Sequence, residues 1–292
     1  MTEPRGIVVG YDGSDVSTQA LDWAMDEAEL RKLPLTLTHA WRWPYGEIDD
    51  GAKLRLREAA EHVLYHGADR ARARSTIVDV ATDLHEGSAA QRLVALSPGA
   101  ELVVVGSRRL SFPGRPVIGS VIATVAARAR SPVIIVRRAG PLPVPPHPGP
   151  VVLGLKNTTA DEVLGFAFHE AALRRLRLRV LHAGCPRLLT WGVAMASLPD
   201  PDDAGRACQE WLDERLVPWR EKYPEVSVDA AVIMSAPKEA LGTAAAEAAL
   251  IVAGTGRTAR RTGRLGMITR SLVRHASCSV AVVPPLEGAE PC

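Results

Sequence analysis

The chain has 292 residues, of which 35 are Lys or Arg and 33 are Asp or Glu. This near balance of charge provides no global field that would draw the protein onto nucleic acid or an anionic membrane. No stretch approaches the roughly 18 consecutive apolar residues of a membrane span, and the first residues lead straight into a predicted strand rather than a signal peptide. We therefore expect a cytoplasmic protein without nucleic-acid or membrane partners.

The first part of the chain alternates predicted strands with predicted helices. Short, continuous β-branched runs are typical of strands covered on both faces, and they predict strands at about 6–10, 35–41, 76–82, 101–105 and 132–137. Amphipathic patterns between these runs predict helices at about 15–32, 49–74, 88–96 and 120–130. The alternation predicts right-handed βαβ units. The fold class is therefore α/β, with a doubly wound, open parallel sheet of about five strands and helices on both faces.

The rest of the chain repeats this pattern. Four landmarks recur in the same order at nearly constant spacing: Ile7–Gly10 matches Val151–Gly154, Leu37–Ala40 matches Val180–Ala183, Ala100–Gly106 matches Ala248–Gly254, and Val133–Val136 matches Val280–Val283. Such a repeat predicts two tandem domains, each with its own sheet. The predicted bounds are 1–140 for the first domain, 141–150 for a Pro-rich linker, 151–286 for the second domain and 287–292 for a tail.

The second copy has two features of its own. An insertion-like stretch, Cys185–Asp200, precedes its long second helix. Pro218 should kink that helix or end it early, because proline removes a backbone donor and its ring clashes with the preceding turn.

A candidate anion site lies where strands of the first copy end. In an open parallel sheet, ligands bind beyond the carboxyl ends of the strands, where the winding direction reverses. The first strand ends in Gly10–Ser14, which places Asp12 on a turn. The fourth strand ends at Gly106 and leads through a predicted loop, 110–118, to a helix start at Gly119. The start of a helix presents free backbone N–H groups, and a glycine there has no side chain to keep a phosphate away from the backbone.

These motifs resemble the universal stress protein family in a tandem form, over nearly the whole chain. The family's phosphate loop is Gly-x-x-Gly, nine residues, then Gly-Ser or Gly-Thr. Gly106, Arg109 and Gly119 reproduce that spacing, with Arg109 in place of the second Gly. The residues from Val8 to Ser14 are similar to the family's first-strand signature.

The resemblance implies a Rossmann-like fold of the adenine-nucleotide alpha hydrolase type. It also implies that the first domain binds ATP, with or without Mg²⁺, or a related adenine nucleotide, and that the protein is a stress-response sensor or regulator. The implied nucleotide-binding residues are Tyr11, Asp12, Ala40, Gly106, Arg109, Gly119, Ser120 and Val121. Because we see no positioned general base and no metal cage, we expect no catalytic residues, no metal site and at most slow ATP hydrolysis.

Arg109 leaves three interpretations open. If the family Gly has positive φ, a side chain there costs roughly 1 kcal/mol or more and would fill the pocket, which favours a protein-interaction module that binds no nucleotide. Alternatively, Arg108, Arg109 and Arg115 would clamp phosphate oxygens, or Arg109 is solvated on the loop. A slow ATPase or self-phosphorylating protein is a further, weaker alternative.

The second copy departs further from the family pattern. Lys156 replaces the Asp, Asn157 replaces the following Gly, Arg257 stands at the second Gly position and Gly266-Met267 replaces Gly-Ser. We therefore expect a degenerate site without nucleotide. The arginines between Arg257 and Arg274 indicate either an anion or acidic partner, or a solvated basic face.

The resemblance carries one expectation about assembly. In single-domain relatives two protomers pair through their last strands, so Val133–Val136 and Val280–Val283 are expected to pair within this chain as an intramolecular pseudo-dimer. A further homodimer and an unknown regulatory protein partner are left open.

Overall fold

The computed structural model describes residues 6–43, 49–75, 78–107, 110–112, 115–117, 119–137, 149–183, 201–256 and 259–285. We call the described residues up to 137 the first half and those from 149 the second half. The strands of the first half are β1 (Gly6–Gly10), β2 (Leu35–Trp41), β3 (Val80–Glu86), β4 (Ala100–Ser107), β5 (Leu110–Phe112), β6 (Arg115–Val117) and β7 (Val133–Arg137). Its α-helices are α1 (Asp15–Arg31), α2 (Asp50–Arg74), α3 (Ala89–Leu96) and α4 (Ser120–Arg128).

The second half repeats this order of elements, except that a short helix, α8 (Ala259–Thr262), stands where the first half has β5 and β6. Its strands are β8 (Val151–Gly154), β9 (Leu178–Ala183), β10 (Val228–Ile233), β11 (Leu250–Gly254) and β12 (Ser279–Val283). Its helices are α5 (Asp161–Arg174), α6 (Pro201–Lys222), α7 (Pro237–Ala244), α8 (Ala259–Thr262) and α9 (Met267–His275). The predicted α/β class with strands and helices in alternation is confirmed.

The sheets of the two halves join edge to edge. Strand order across the resulting ten-stranded sheet is β10-β9-β8-β11-β12-β7-β4-β1-β2-β3. Within this sheet the strands of each half are parallel to one another, whereas β12 and β7 pair antiparallel, with Val282 opposite Val133 and Val280 opposite Ile135. The expected pairing of the last strands within one chain is therefore present. It removes two exposed sheet edges, which are sites of unwanted strand addition when uncovered.

Helices cover both faces of this sheet. On one face α1, α2, α5 and α6 enclose a core that includes Leu21, Leu37 and Phe168, and on the other α3, α4, α7 and α9 enclose a core that includes Val103, Ile135 and Ile251. Each core runs continuously through both halves, so apolar burial, the main driving force of folding, also holds the halves together.

Four charged side chains are buried between the halves, where α1 meets α5. Glu27 and Arg31 of α1 are ion-paired at 2.6 Å, and Arg174 and Glu170 of α5 at 2.5 Å. Each arginine also pairs with the acid of the other helix. Burial, reinforced by the neighbouring Glu27 carboxylate, raises the pKa of Glu170 to about 7. We call this group the α1–α5 ion cluster.

Two element boundaries differ from the sequence prediction. The third strand runs over Val80–Glu86 rather than 76–82, because its register places Val80 opposite Leu35 and Glu86 opposite Trp41, so that the whole of β2 is paired. The segment 110–118, predicted as a loop, contains the antiparallel hairpin of β5 and β6, in which Leu110 faces Val117.

Helix α6 does not end early at Pro218 but continues to Lys222. Packing on both sides of the proline offsets its missing backbone hydrogen bond. Leu216 is fully buried, and the rings of Trp219 and Tyr223 lie 5.9 Å and 5.8 Å from that of Phe168. The predicted insertion, Cys185–Asp200, lies outside the described residues. No helix in the described part of the chain is long and apolar enough to cross a membrane.

Candidate functional site

The winding of the first half reverses between β1 and β4. From β1 the chain proceeds through β2 to β3 on one side of the sheet, and β4 and β7 lie on the other. The two adjacent strands end at Gly10 and Ser107. A crevice at the carboxyl ends of such strands is the usual ligand site of this architecture.

Asp12 is held on the turn after β1. Its Oδ1 accepts hydrogen bonds from the backbone N–H of Ser14, at 3.0 Å, and from the Ser14 hydroxyl. Its own N–H donates to Ser17 Oγ at 3.2 Å. Gly13 between them has φ +75°, which favours glycine. The turn thus fixes a solvent-exposed carboxylate at the sheet edge.

Tyr11 occupies a different position from the other predicted site residues. Its ring is buried and packs so closely on Gly67 of α2 that a Cβ there would lie 2.6 Å from a ring atom. The N–H of Tyr11 donates to the carbonyl of Thr38 at 3.0 Å, and the carbonyl oxygen of Tyr11 lies 2.8 Å from His39 Nδ1. The side chain of Tyr11 therefore belongs to the core. Any contact with a ligand would fall to its backbone.

The two glycines of the loop motif differ in their surroundings. A Cβ on Gly106 would lie 2.2 Å from the carbonyl oxygen of Val16, because the start of α1 crosses closely over the end of β4. A Cβ on Gly119 would meet nothing within 4 Å. Gly119 is also the N-cap of α4 and makes no side-chain capping bond. The N–H groups at the start of this helix, next to the exposed Ser120 and the half-buried Val121, are therefore available to an anion.

Only some of the remaining predicted site residues lie within the described part of the chain. Ala40 is half-buried near the end of β2, in register with His85 of β3. Arg108 and Arg109 lie outside the described residues, and so does the side chain of Arg115. The choice between an arginine that clamps phosphate and one that blocks the pocket stays a prediction.

A polar triad next to this edge was not predicted from the sequence. Thr38 Oγ1 donates to Asp83 Oδ2 at 2.6 Å, and Arg92 of α3 donates to the same carboxylate from Nε at 2.9 Å and from Nη2. The hydrogen bond from Arg92 is the main cause that holds the pKa of Asp83 below its usual value. A signal existed in the repeat, since Thr38 aligns with Leu181 in the second copy.

The second half has a cavity of about 810 Å³ at the equivalent edge of its sheet. It is lined by the ends of β8 and β11 and by the starts of α5 and α9. Lys156, which stands where the first half has Asp12, lines the cavity together with Gly266 and Met267. Arg257 lies outside the described residues. Within the described ranges no three His, Cys, Asp or Glu side chains converge on a common point that could hold a metal.

The fold is that of a duplicated, doubly wound α/β protein whose halves associate through their last strands. Each half has a candidate site at the equivalent edge of its sheet. The model of the universal stress protein family matches residues 4–137 and again residues 149–284. The chain therefore belongs to the universal stress protein family, in its tandem form.

Two of the similar proteins match nearly the whole chain. Universal stress protein Rv2005c of Mycobacterium tuberculosis is 30% identical over 307 residues, which cover 97% of this chain and 99% of that protein. The crystal structure of a universal stress protein from Archaeoglobus fulgidus has a TM-score of 0.74 at 17% identity and covers 97% of this chain and 99% of that one. A universal stress protein solved in complex with cAMP is 30% identical, covers 46% of this chain and 97% of that one, and has a TM-score of 0.39.

Proposed function

We propose that the first half binds ATP or a related adenine nucleotide, and that the protein acts in the cytoplasm as a stress-response sensor or regulator rather than as a fast enzyme. The observation that carries the proposal is the open space at Gly119, at an uncapped helix start on the same sheet edge as Asp12. Membership of the universal stress protein family supports the same assignment.

The described residues suit the two ends of such a ligand. A phosphate group fits the N-terminus of α4, because Gly119 adds no side chain and the helix dipole favours negative charge there. The Asp12 carboxylate can accept hydrogen bonds from sugar hydroxyls. The backbone at Ala40 and Val121 and the hydroxyl of Ser120 complete the assignment, with Arg109 as a candidate phosphate clamp.

The proposal is tested by calorimetric titration of nucleotide-stripped protein with ATP and Mg²⁺. Gly119→Ala should weaken ATP binding roughly tenfold or more, a loss of about 1.4 kcal/mol, because the new methyl group occupies space that the phosphate needs. Asp12→Ala and Ser120→Ala should weaken binding as well. Gly99→Ala is the matched control, since a Cβ there also meets nothing within 4 Å but lies at the amino end of β4. Unchanged affinity in the first three variants would refute the site.

Arg109→Gly separates the two roles of the arginine. A loss of ATP affinity identifies Arg109 as a clamp, whereas a sharp gain identifies it as an obstacle and favours the interaction module. The same samples report on catalysis: release of nucleoside diphosphate above a control without protein, abolished by Ser120→Ala, would be required of a slow ATPase.

A further inference from the structure

The cavity of the second half has no part in the proposed nucleotide site. Its interior is built largely from buried apolar side chains, each no more than 6% exposed. They are Leu155, Val163, Leu181, Leu241, Ala253 and Val283. Apolar side chains of this kind bind the apolar body of a ligand through the hydrophobic effect.

The first half carries polar side chains at three positions of the equivalent face, and the difference can be assigned residue by residue. In β9 and β10, Leu181 lies opposite Ala231, where β2 and β3 place Thr38 opposite Asp83. Ala240 of α7 occupies the position of Arg92 in α3, counted from the start of each helix. The second half has therefore replaced a hydrogen-bonded triad with hydrocarbon.

The polar groups of the cavity favour an anionic head group. Lys156 is exposed, and its ammonium group has no ion-pair partner in the described part of the chain. The start of α9 has Gly266 as its N-cap, without a side-chain capping bond. Thr255 also lines the cavity; it is only 3% exposed, and its Oγ1 is buried without a hydrogen-bond partner. A buried hydroxyl without a partner is costly, and a ligand oxygen that reached it would relieve that cost.

Acidic groups of the cavity limit how much negative charge it accepts. Asp161 lines the cavity but is ion-paired with Arg215. Glu162 also lines it, in the first turn of α5, where the helix dipole stabilises a carboxylate. A polyphosphate would carry several negative charges towards these acids, whereas a monocarboxylate carries one. In addition, Lys156 has no lone pair with which to accept a hydrogen bond from ribose.

We propose that this cavity binds a small amphipathic monocarboxylate, with its carboxylate at Lys156 and the start of α9 and its apolar body against Leu181, Leu241 and Val283. The two halves then bind ligands of different chemical classes: an adenine nucleotide in the first and an apolar acid in the second. The inference does not depend on whether the first half binds nucleotide.

The test is calorimetric titration of the full chain with decanoate, below its micellar range, and with 1-decanol as the uncharged ligand of equal length. Decanoate should bind at one site per chain, more tightly than decanol. Lys156→Met should weaken decanoate roughly tenfold or more, as expected for a charge-assisted hydrogen bond, and should leave decanol unchanged. Lys238→Met is the matched control, since Lys238 is an exposed lysine at the start of α7 that does not line the cavity.

Three outcomes would overturn the proposal. The first is that decanoate gives neither heat nor a thermal shift. The second is that Lys156→Met and Lys238→Met affect decanoate equally, which marks nonspecific adsorption. The third is that ATP displaces decanoate from both the wild type and Ser120→Ala, which assigns the cavity to a nucleotide. Failure of the nucleotide proposal looks different, because decanoate then binds as expected while ATP alone gives no heat.

Discussion

The glycines of the loop motif show that one sequence pattern combines two physical requirements. Gly106 is required by the fold, because any Cβ there would collide with the carbonyl oxygen of Val16. Gly119 lies in open space with an ordinary backbone conformation, φ −57°. The fold itself does not need a glycine at position 119, so the proposed ligand would be the reason for a glycine there.

Asp83 gives the first half a stabilising interaction that depends on pH. Its carboxylate is paired with Arg92 and Thr38, and its pKa in the folded protein is lowered. A lowered pKa means that the contribution to stability is present above the unfolded pKa of about 4 and is lost as the pH falls through the folded value. Asp83→Asn should therefore cost about 1 kcal/mol of unfolding free energy near neutral pH, and this cost should shrink below pH ~4.

Urea unfolding at a series of pH values checks this expectation. Asp229→Asn is the control, because Asp229 occupies a strand of the second half and, among the described residues, makes only a long ion pair of 3.7 Å with Arg179. Its substitution should change the unfolding free energy by less than about 0.5 kcal/mol at every pH. A cost of Asp83→Asn that does not vary with pH would show that the charge of Asp83 plays no part.

At the scale of elements, the strands and helices whose patterns are strongly periodic were predicted within a few residues. β1, β2 and β7 were predicted from short β-branched runs, and such runs are typical of strands that are covered on both faces. The position of β3 could not be read in the same way, because its exposed and half-buried residues carry no apolar run. Its bounds are set instead by pairing with β2, a contact between distant parts of the chain.

The candidate site, too, was predictable where it depends on local sequence and not where it depends on contacts between distant residues. The turn at Asp12 and the helix start at Gly119 were predictable, because both depend on local sequence. The triad of Thr38, Asp83 and Arg92 and the cavity of the second half were not predicted, since each arises from residues on separate elements that only the sheet brings together.

Pro218 gives the clearest test of how packing overrides local preference. Proline in a helix interior costs about 3 kcal/mol relative to alanine, yet α6 continues through it. Pro218→Ala should restore the N–H that can donate to the carbonyl of residue 214 and raise the unfolding free energy by roughly 1–3 kcal/mol. Val217→Ala, at an exposed neighbouring position, controls for the change in side chain. A destabilised Pro218→Ala variant in urea unfolding would mean that the proline is needed for the helix path.

At the scale of the whole molecule, the halves interlock at more than the central strand pair. Arg137 of β7 reaches into the second half and donates to the carbonyls of Val273 and Ala276 at the end of α9, the latter at 2.7 Å. β6 lies against α9, and α8 lies against α4. The first half thus contacts α9 of the second half, and the second half contacts α4 of the first. We therefore do not expect the first half, produced without the second, to keep the fold that it has in the full chain.

The α1–α5 ion cluster makes this association dependent on pH. Because burial raises the pKa of Glu170 to about 7, the folded protein holds a proton there that the unfolded chain releases above about pH 4.5. The contribution of Glu170 to stability should therefore fall as the pH rises from about 4.5 to 7. Glu170→Gln should flatten this dependence in urea unfolding, whatever its effect on absolute stability, whereas Glu58→Gln, on the exposed face of α2, should leave it intact. An unchanged slope in Glu170→Gln would mean that Glu170 stays ionised, balanced by Arg31 and Arg174 throughout this range.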